Sequence, residues 1–154
     1  MLSESNLNKV EELRKHYPTP QALVLPVLWM IQEQEGFISE ESMKYAGTLL
    51  NISFSHILGV VTFYSMLQKK AVGKHHIEVC TNVSCMLRGS GKILEHIENR
   101  LGIKAGELSQ DKKWTLSEAE CLGSCGTAPM LAIGDEYYEN LTLEKVDKLI
   151  DSLQ

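Results

Sequence analysis

Apolar residues recur at helical spacing through residues 1–70, a stretch that contains no cysteine. A short polar helix is predicted over residues 6–16. Thr19 can cap a second helix, which should run to about Glu35 and end at Gly36. Serines precede two more helical patterns, Ser39 the first and Ser53 the second, whose apolar positions are Ile57, Leu58, Val61, Phe63, Tyr64 and Leu67. The short connections predict a small antiparallel helical bundle.

The pattern changes after residues 69–75, a polar, glycine-containing segment that is predicted to be a linker. Residues 76–80 alternate with a period of two, which predicts a strand that ends on a cysteine. Helices are predicted over residues 86–101 and after Thr142, and further strands at 113–119, 130–133 and 137–138. We therefore expect an α+β or α/β chain with two domains, residues 1–70 and 71–154.

Composition and charge narrow the function classes. The formal charge is −5, and no stripe of Lys and Arg forms a footprint for nucleic acid. The first ten residues lack the apolar region of a signal peptide, and no apolar run is long enough to span a membrane. Four cysteines in a chain without an export signal indicate a metal or redox role rather than structural disulfides.

The four cysteines fall into two closely spaced pairs, Cys80 with Cys85 and Cys121 with Cys125. Four converging thiolates suit either zinc or an iron–sulfur cluster, and two transient disulfides are a third alternative. The second pair lies among small residues, which let backbone amides approach the sulfides of a [2Fe–2S] cluster. Loop composition therefore favours the cluster and leaves zinc and disulfides open.

Four sequence segments carry a family resemblance: residues 79–85 (VCTNVSC), 120–129 (ECLGSCGTAP), 26–37 (PVLWMIQEQEGF) and 61–66 (VTFYSM). They closely resemble the thioredoxin-like [2Fe–2S] ferredoxin family and, more narrowly, the E subunits of bacterial NADH:quinone oxidoreductases. One departure is Ser124, where alanine is expected; its hydroxyl could face a cluster sulfur or, as we expect, solvent. The resemblance covers nearly the whole chain.

The resemblance implies a helical bundle at 1–70 that docks a partner, followed by a thioredoxin-like domain at 71–154. It implies one [2Fe–2S] cluster bound by Cys80, Cys85, Cys121 and Cys125, with FMN and NADH bound by a partner flavoprotein subunit. It also implies a cis peptide bond before Pro129. The expected role is single-electron exchange with that FMN, in the cytoplasm and peripheral to the inner membrane, with no catalysis by this chain alone.

Other interpretations of the same residues remain. The module could serve a soluble NAD-linked hydrogenase or formate dehydrogenase, or it could be a zinc-stapled interaction module. His75 and His76 could mimic the histidines of a Rieske centre, but four cysteines already complete a ligand set, so solvated histidines are expected. Asp135, Glu136 and Glu139 are expected to form a solvated edge.

Overall fold

The computed structural model describes residues 1–153. They divide into two compact units, the first being Met1–Ala71 and the second beginning at Val72. The first unit is entirely helical and the second combines helices with one sheet. The predicted fold class, helices followed by an α/β arrangement, is confirmed.

The first unit contains four α-helices: α1 (Glu4–Arg14), α2 (Val24–Glu35), α3 (Glu40–Leu50) and α4 (Phe54–Phe63). Capping follows the sequence closely. The side chains of Ser39 and Ser53 each accept a hydrogen bond from the backbone N–H three residues on. Gly36 ends α2 with a positive φ of 83°, a conformation that glycine adopts without strain.

Two expectations for the first unit were wrong. A 3₁₀ turn, Pro20–Leu23, lies between Thr19 and α2. Within residues 1–153 the Thr19 side chain makes no capping hydrogen bond. The apolar face of α4 is also narrower than predicted: Phe63 is 79% exposed and Leu58 is 38% exposed. Fully buried apolar side chains form the core of this unit, among them Val10, Val27, Leu28, Ile31, Ile38, Leu50 and Ile57.

The second unit is built on a four-stranded sheet with the order β2–β1–β3–β4. Its strands are β1 (His75–Cys80), β2 (Trp114–Ala119), β3 (Leu131–Ile133) and β4 (Glu136–Tyr138). Strands β1 and β2 are parallel, whereas β3 pairs antiparallel with both β1 and β4. Its core contains Ile77, Val79, Ile97, Leu116, Leu131, Val146 and Ile150.

The helices of this unit are α5 (Val83–Leu87), α6 (Ser90–Leu101) and α7 (Leu143–Ser152). The single helix predicted over residues 86–101 is therefore wrong, because Gly89 adopts a positive φ of 92° and separates α5 from α6. The prediction for the last helix is confirmed, since the Thr142 side chain accepts a hydrogen bond from the Lys145 N–H. Because the helix breaks at Gly89, Cys85 lies in the short helix α5 and not in α6.

The segment predicted to be a linker is partly packed. Gly73 is buried, and its N–H donates to Thr115 Oγ1 at 2.7 Å. The backbone N–H of His75 donates to the Lys113 carbonyl at 2.8 Å. Residues 73–75 thus run beside β2 as the start of the sheet.

None of the helices in residues 1–153 combines the length and the apolar character that a membrane-spanning helix requires.

Candidate metal centre

The cysteines lie on loops that leave adjacent parallel strands at the same edge of the sheet. Cys80 is the last residue of β1 and pairs in register with Ala119, the last residue of β2. Cys121 follows two residues later. Because parallel strands end at the same edge, the two loops begin side by side. Sheet register therefore brings together cysteines that are far apart in sequence.

The first pair of thiols is buried. Cys80 and Cys85 are 3% and 2% exposed and pack with Ala128 and Met130. The Cys80 thiol donates to the Glu120 carbonyl at 3.0 Å. Burial raises the pKa of the Cys85 thiol, contact with Cys80 raises it further, and a backbone hydrogen bond from Met130 opposes both. This pair forms the inner wall of the site.

The second pair of thiols is exposed to solvent. The Sγ atoms of Cys121 and Cys125 lie 3.4 Å apart. The backbone N–H of Gly123 approaches Cys121 Sγ at 3.4 Å and lowers the pKa of that thiol. Hydrogen bonding with Cys121 raises the pKa of Cys125. All four cysteines are free thiols in this structure.

Side chains from the first loop contact the second loop directly. The Asn82 amide donates to the Glu120 carboxylate at 3.0 Å. A hydrogen bond with Ser84 lowers the pKa of Cys125, against the larger effect of Cys121. The nearby Cys80 also raises the pKa of Cys125. The structure thus brings the two predicted cysteine pairs into one cluster of interacting thiols.

The backbone around the thiols matches the loop composition. Gly123 adopts a positive φ of 90°, and this is the residue whose N–H faces a sulfur. The Ala128–Pro129 peptide bond is cis, as predicted. Small residues in this loop leave amides accessible, as an anionic, sulfide-bearing group requires.

The four interacting thiols are arranged as two pairs, Cys80 with Cys85 and Cys121 with Cys125. No group of three or more His, Cys, Asp or Glu side chains in residues 1–153 is arranged to hold a single metal ion. A structural zinc site needs four ligands in a tetrahedron around one ion. Two thiol pairs instead suit a centre with two metal ions, so the donor set fits a [2Fe–2S] cluster better than zinc.

Other predicted roles near the site need correction. Ser124 neither faces a sulfur nor lies free in solvent, because its hydroxyl donates to the Glu139 carboxylate and lies 2.7 Å from Thr127 Oγ1. Glu139 is exposed at this edge, as predicted, and its carboxylate also accepts hydrogen bonds from the loop. His75 and His76 are half-buried rather than solvated: His76 Nε2 lies 2.8 Å from Ser117 Oγ.

The family of the chain follows from comparison with known proteins. The thioredoxin-like [2Fe–2S] ferredoxin family matches residues 10–154. The chain belongs to this family. Its fold and its [2Fe–2S] cofactor, both expected from sequence, are confirmed, and the cofactor decides against a zinc-stapled module.

Several similar proteins share nearly the whole length of this ferredoxin. One is the E subunit of the NADH-quinone oxidoreductase of Rickettsia conorii, 44% identical over 98% of this chain and 92% of the relative. Another is NADH dehydrogenase [ubiquinone] flavoprotein 2, mitochondrial, of Dictyostelium discoideum, 38% identical over 99% of this chain and 63% of the relative. The predicted resemblance to E subunits is thereby confirmed.

Among solved structures, an NAD⁺-reducing [NiFe]-hydrogenase has a similar fold, with a TM-score of 0.74 and 18% sequence identity. The match covers 86% of this ferredoxin but only 23% of the hydrogenase chain. At this identity the match shows the fold alone.

Proposed function

We propose that this chain is a one-electron carrier in an NADH:quinone oxidoreductase, with its [2Fe–2S] cluster bound by Cys80, Cys85, Cys121 and Cys125. The observation that carries the proposal is the pairing of thiols on adjacent loops at one edge of the sheet. The names of the relatives support the choice of complex. The four-cysteine ligand set itself remains a prediction.

The two cysteine pairs have different surroundings, which suggests that each pair binds a different iron of the cluster. We infer that Cys80 and Cys85 hold the inner iron and that Cys121 and Cys125 hold the outer one. The inner pair is shielded from water by Ala128 and Met130, whereas the outer pair is exposed. When bound, the cluster accepts and returns single electrons. The protein residues supply position and hydrogen bonds, and the exposed pair gives a partner close access to the cluster.

The partner we propose is the flavoprotein subunit that binds FMN and NADH. Hydride transfer from NADH delivers two electrons together, so a flavin needs a neighbouring one-electron acceptor to release them singly. Within residues 1–153 we find no glycine-rich phosphate loop of the dinucleotide-binding type. NADH should therefore reduce this chain only through its partner.

A spectroscopic experiment tests this role. The loaded chain should be red-brown and should bleach with dithionite, but it should keep its colour with NADH alone. Adding the flavoprotein subunit from the same organism should then allow NADH to bleach it. Bleaching by NADH without the flavoprotein would contradict the division of roles. If NADH fails to bleach the cluster when both subunits are present, although dithionite does bleach it, the flavoprotein is not the electron donor.

We further propose that the helical unit docks the partner. Exposed apolar side chains support this, because monomers seldom expose large apolar patches. Trp29 is 43% exposed and Met66 is 47% exposed, and both line a groove of about 420 Å³. Phe63, at 79% exposed, stacks edge-on against Tyr64 with ring centroids 5.0 Å apart. These side chains offer the kind of aromatic anchors that dominate binding energy at interfaces.

Charge insertion at this surface should disrupt co-purification. Phe63→Asp should weaken binding to the flavoprotein by about 2 kcal/mol or more, roughly 30-fold. In the complex, a charge would replace an aromatic side chain that the partner buries. Thr62→Asp on the same helix is the matched control and should bind with nearly native affinity. The measurement is the dissociation constant by calorimetry. If Phe63→Asp and the native chain bind the flavoprotein with equal affinity, this surface is not the interface.

As part of such a complex, we propose that the chain is cytoplasmic and reaches the inner membrane only through other subunits. Relatives from respiratory complexes support this placement. The second candidate is the equivalent position in a soluble NAD-linked hydrogenase or formate dehydrogenase; a similar fold in an NAD⁺-reducing [NiFe]-hydrogenase is compatible with the hydrogenase. Co-purification with a quinone-reducing membrane complex would select the first candidate.

A further inference from the structure

The outer ligand loop is held from outside by the end of the β3–β4 hairpin and the two residues that follow it. We name residues 137–140 the hairpin clamp. Tyr137 OH donates to the Leu122 carbonyl at 2.9 Å, and the Asn140 N–H donates to the Thr127 carbonyl at 2.7 Å. These two bonds hold the clamp beside the beginning and the end of the loop that carries Cys121 and Cys125.

Glu139 lies between those two bonds and contacts the middle of the loop. Its Oε1 atom accepts from the Thr127 hydroxyl at 2.6 Å and also from the Ser124 hydroxyl. Each hydroxyl has one proton to donate, and an ionised carboxylate only accepts, so both donors are satisfied by one oxygen. These hydrogen bonds, first that of Ser124, lower the pKa of Glu139.

Ser124 and Thr127 flank Cys125 in the chain, and both belong to or adjoin the short 3₁₀ turn Cys125–Thr127. Within that turn the Thr127 N–H donates to the Ser124 carbonyl at 3.2 Å, and the Thr127 hydroxyl lies 3.1 Å from the same carbonyl oxygen. Cys125 itself is exposed, so packing does little to hold its thiol. The orientation of the outer thiol therefore depends on bonds made by its neighbours.

We propose that Glu139 is a positioning residue for the cluster: by binding Ser124 and Thr127 with one carboxylate oxygen, it holds Cys125 next to Cys121. The proposal rests on the proposed function, in which both cysteines are ligands. The separation of 3.4 Å between the two Sγ atoms is the arrangement that Glu139 maintains. It acts through the loop and does not touch the metal.

Cluster retention in the full-length loaded chain tests the proposal. Under anaerobic conditions with excess iron chelator, the visible absorbance of Glu139→Ala should decay with a half-life shortened about threefold or more, since two charge-assisted bonds at an exposed site are lost. Glu139→Gln keeps an acceptor oxygen and should restore most of the native half-life. Glu136→Ala removes an exposed carboxylate from the same hairpin and is the matched control, expected to behave like the native chain.

A second set of variants separates positioning from a general loss of stability. Ser124→Ala/Thr127→Val should shorten the half-life to the same extent as Glu139→Ala, and adding Glu139→Ala to that pair should cause no further loss. Melting temperatures measured on the same samples should stay within a few degrees of one another. A full additional effect of Glu139→Ala in that background would overturn the proposal, as would a native half-life for Glu139→Ala alone.

The ligand assignment can fail independently of this inference. If Cys121→Ala retains all its iron, the outer pair does not bind the cluster and the proposed function fails. If Cys121→Ala loses its cluster while Glu139→Ala keeps a native half-life, the ligand set stands and only the role of Glu139 is rejected.

Discussion

Replacing Cys80 or Cys121 with alanine should leave the purified chain with less than about one tenth of the native iron and acid-labile sulfide. Loss of a supporting residue around a metal site already costs 10–100-fold in affinity, and loss of a direct ligand should cost at least as much. The expected result is the same for both residues, although Cys80 is buried and Cys121 is exposed. Iron and sulfide analysis, with the visible spectrum, is the measurement.

Thr81→Ala provides the control for this experiment. Thr81 lies between the two cysteines of the first loop, and its hydroxyl makes only a long contact of 3.5 Å with the Ala119 carbonyl. This variant should load a full cluster. Full iron and sulfide in Cys80→Ala or in Cys121→Ala would refute ligation by all four cysteines, because the chain has no fifth cysteine to replace a missing one.

Gly73→Ala should destabilise the second unit by about 2 kcal/mol, which corresponds to a fall in Tm of about 10 °C for a unit of this size. A Cβ at position 73 would lie 2.7 Å from the backbone carbonyl carbon of Trp114 and 2.8 Å from that of Lys113. Backbone atoms of a sheet strand cannot move aside as a flexible side chain can. The added methyl would also strain the hydrogen bond from the residue 73 N–H to Thr115.

Gly91→Ala is the matched control for Gly73→Ala. Gly91 lies in α6, and none of the described residues comes within 4 Å of a Cβ built there. Alanine favours the helix over glycine by about 0.5–1 kcal/mol, so this variant should be slightly more stable than the native chain. Thermal unfolding by circular dichroism measures both. A native Tm for Gly73→Ala would mean that residues 72–74 can move away from β2 at little cost.

Local features of the chain were predictable because their partners lie nearby in sequence. A capping serine bonds an N–H three residues away, so Ser39 and Ser53 identified the starts of their helices without knowledge of the tertiary fold. Period-two alternation similarly identified β1 and its terminal cysteine, Cys80. The prediction for Thr19 was wrong because a threonine followed by proline can precede either an α-helix or a 3₁₀ turn, and here it precedes a 3₁₀ turn without capping it.

Features that depend on contacts between distant segments were not predictable. Glu139 lies 15 residues beyond Ser124, and no local pattern distinguishes it from Glu136, although only Glu139 of these two exposed carboxylates contacts the outer loop. Gly73 looked like a linker residue because its neighbours are polar, yet the return of β2 buries it. The exposure of Phe63 also escaped prediction, because helical spacing alone does not say how wide a face the rest of the bundle can cover.

The helical first part, the strand-and-helix second part, the cysteine pairs and, through its motifs, the [2Fe–2S] family could all be predicted from the amino-acid sequence. The burial of one thiol pair, the exposure of the other and the contact of the hairpin clamp with the outer loop became visible in the folded chain alone. Periodicity and caps express bonds within a few residues, whereas burial and loop orientation depend on which strands become neighbours and in what register.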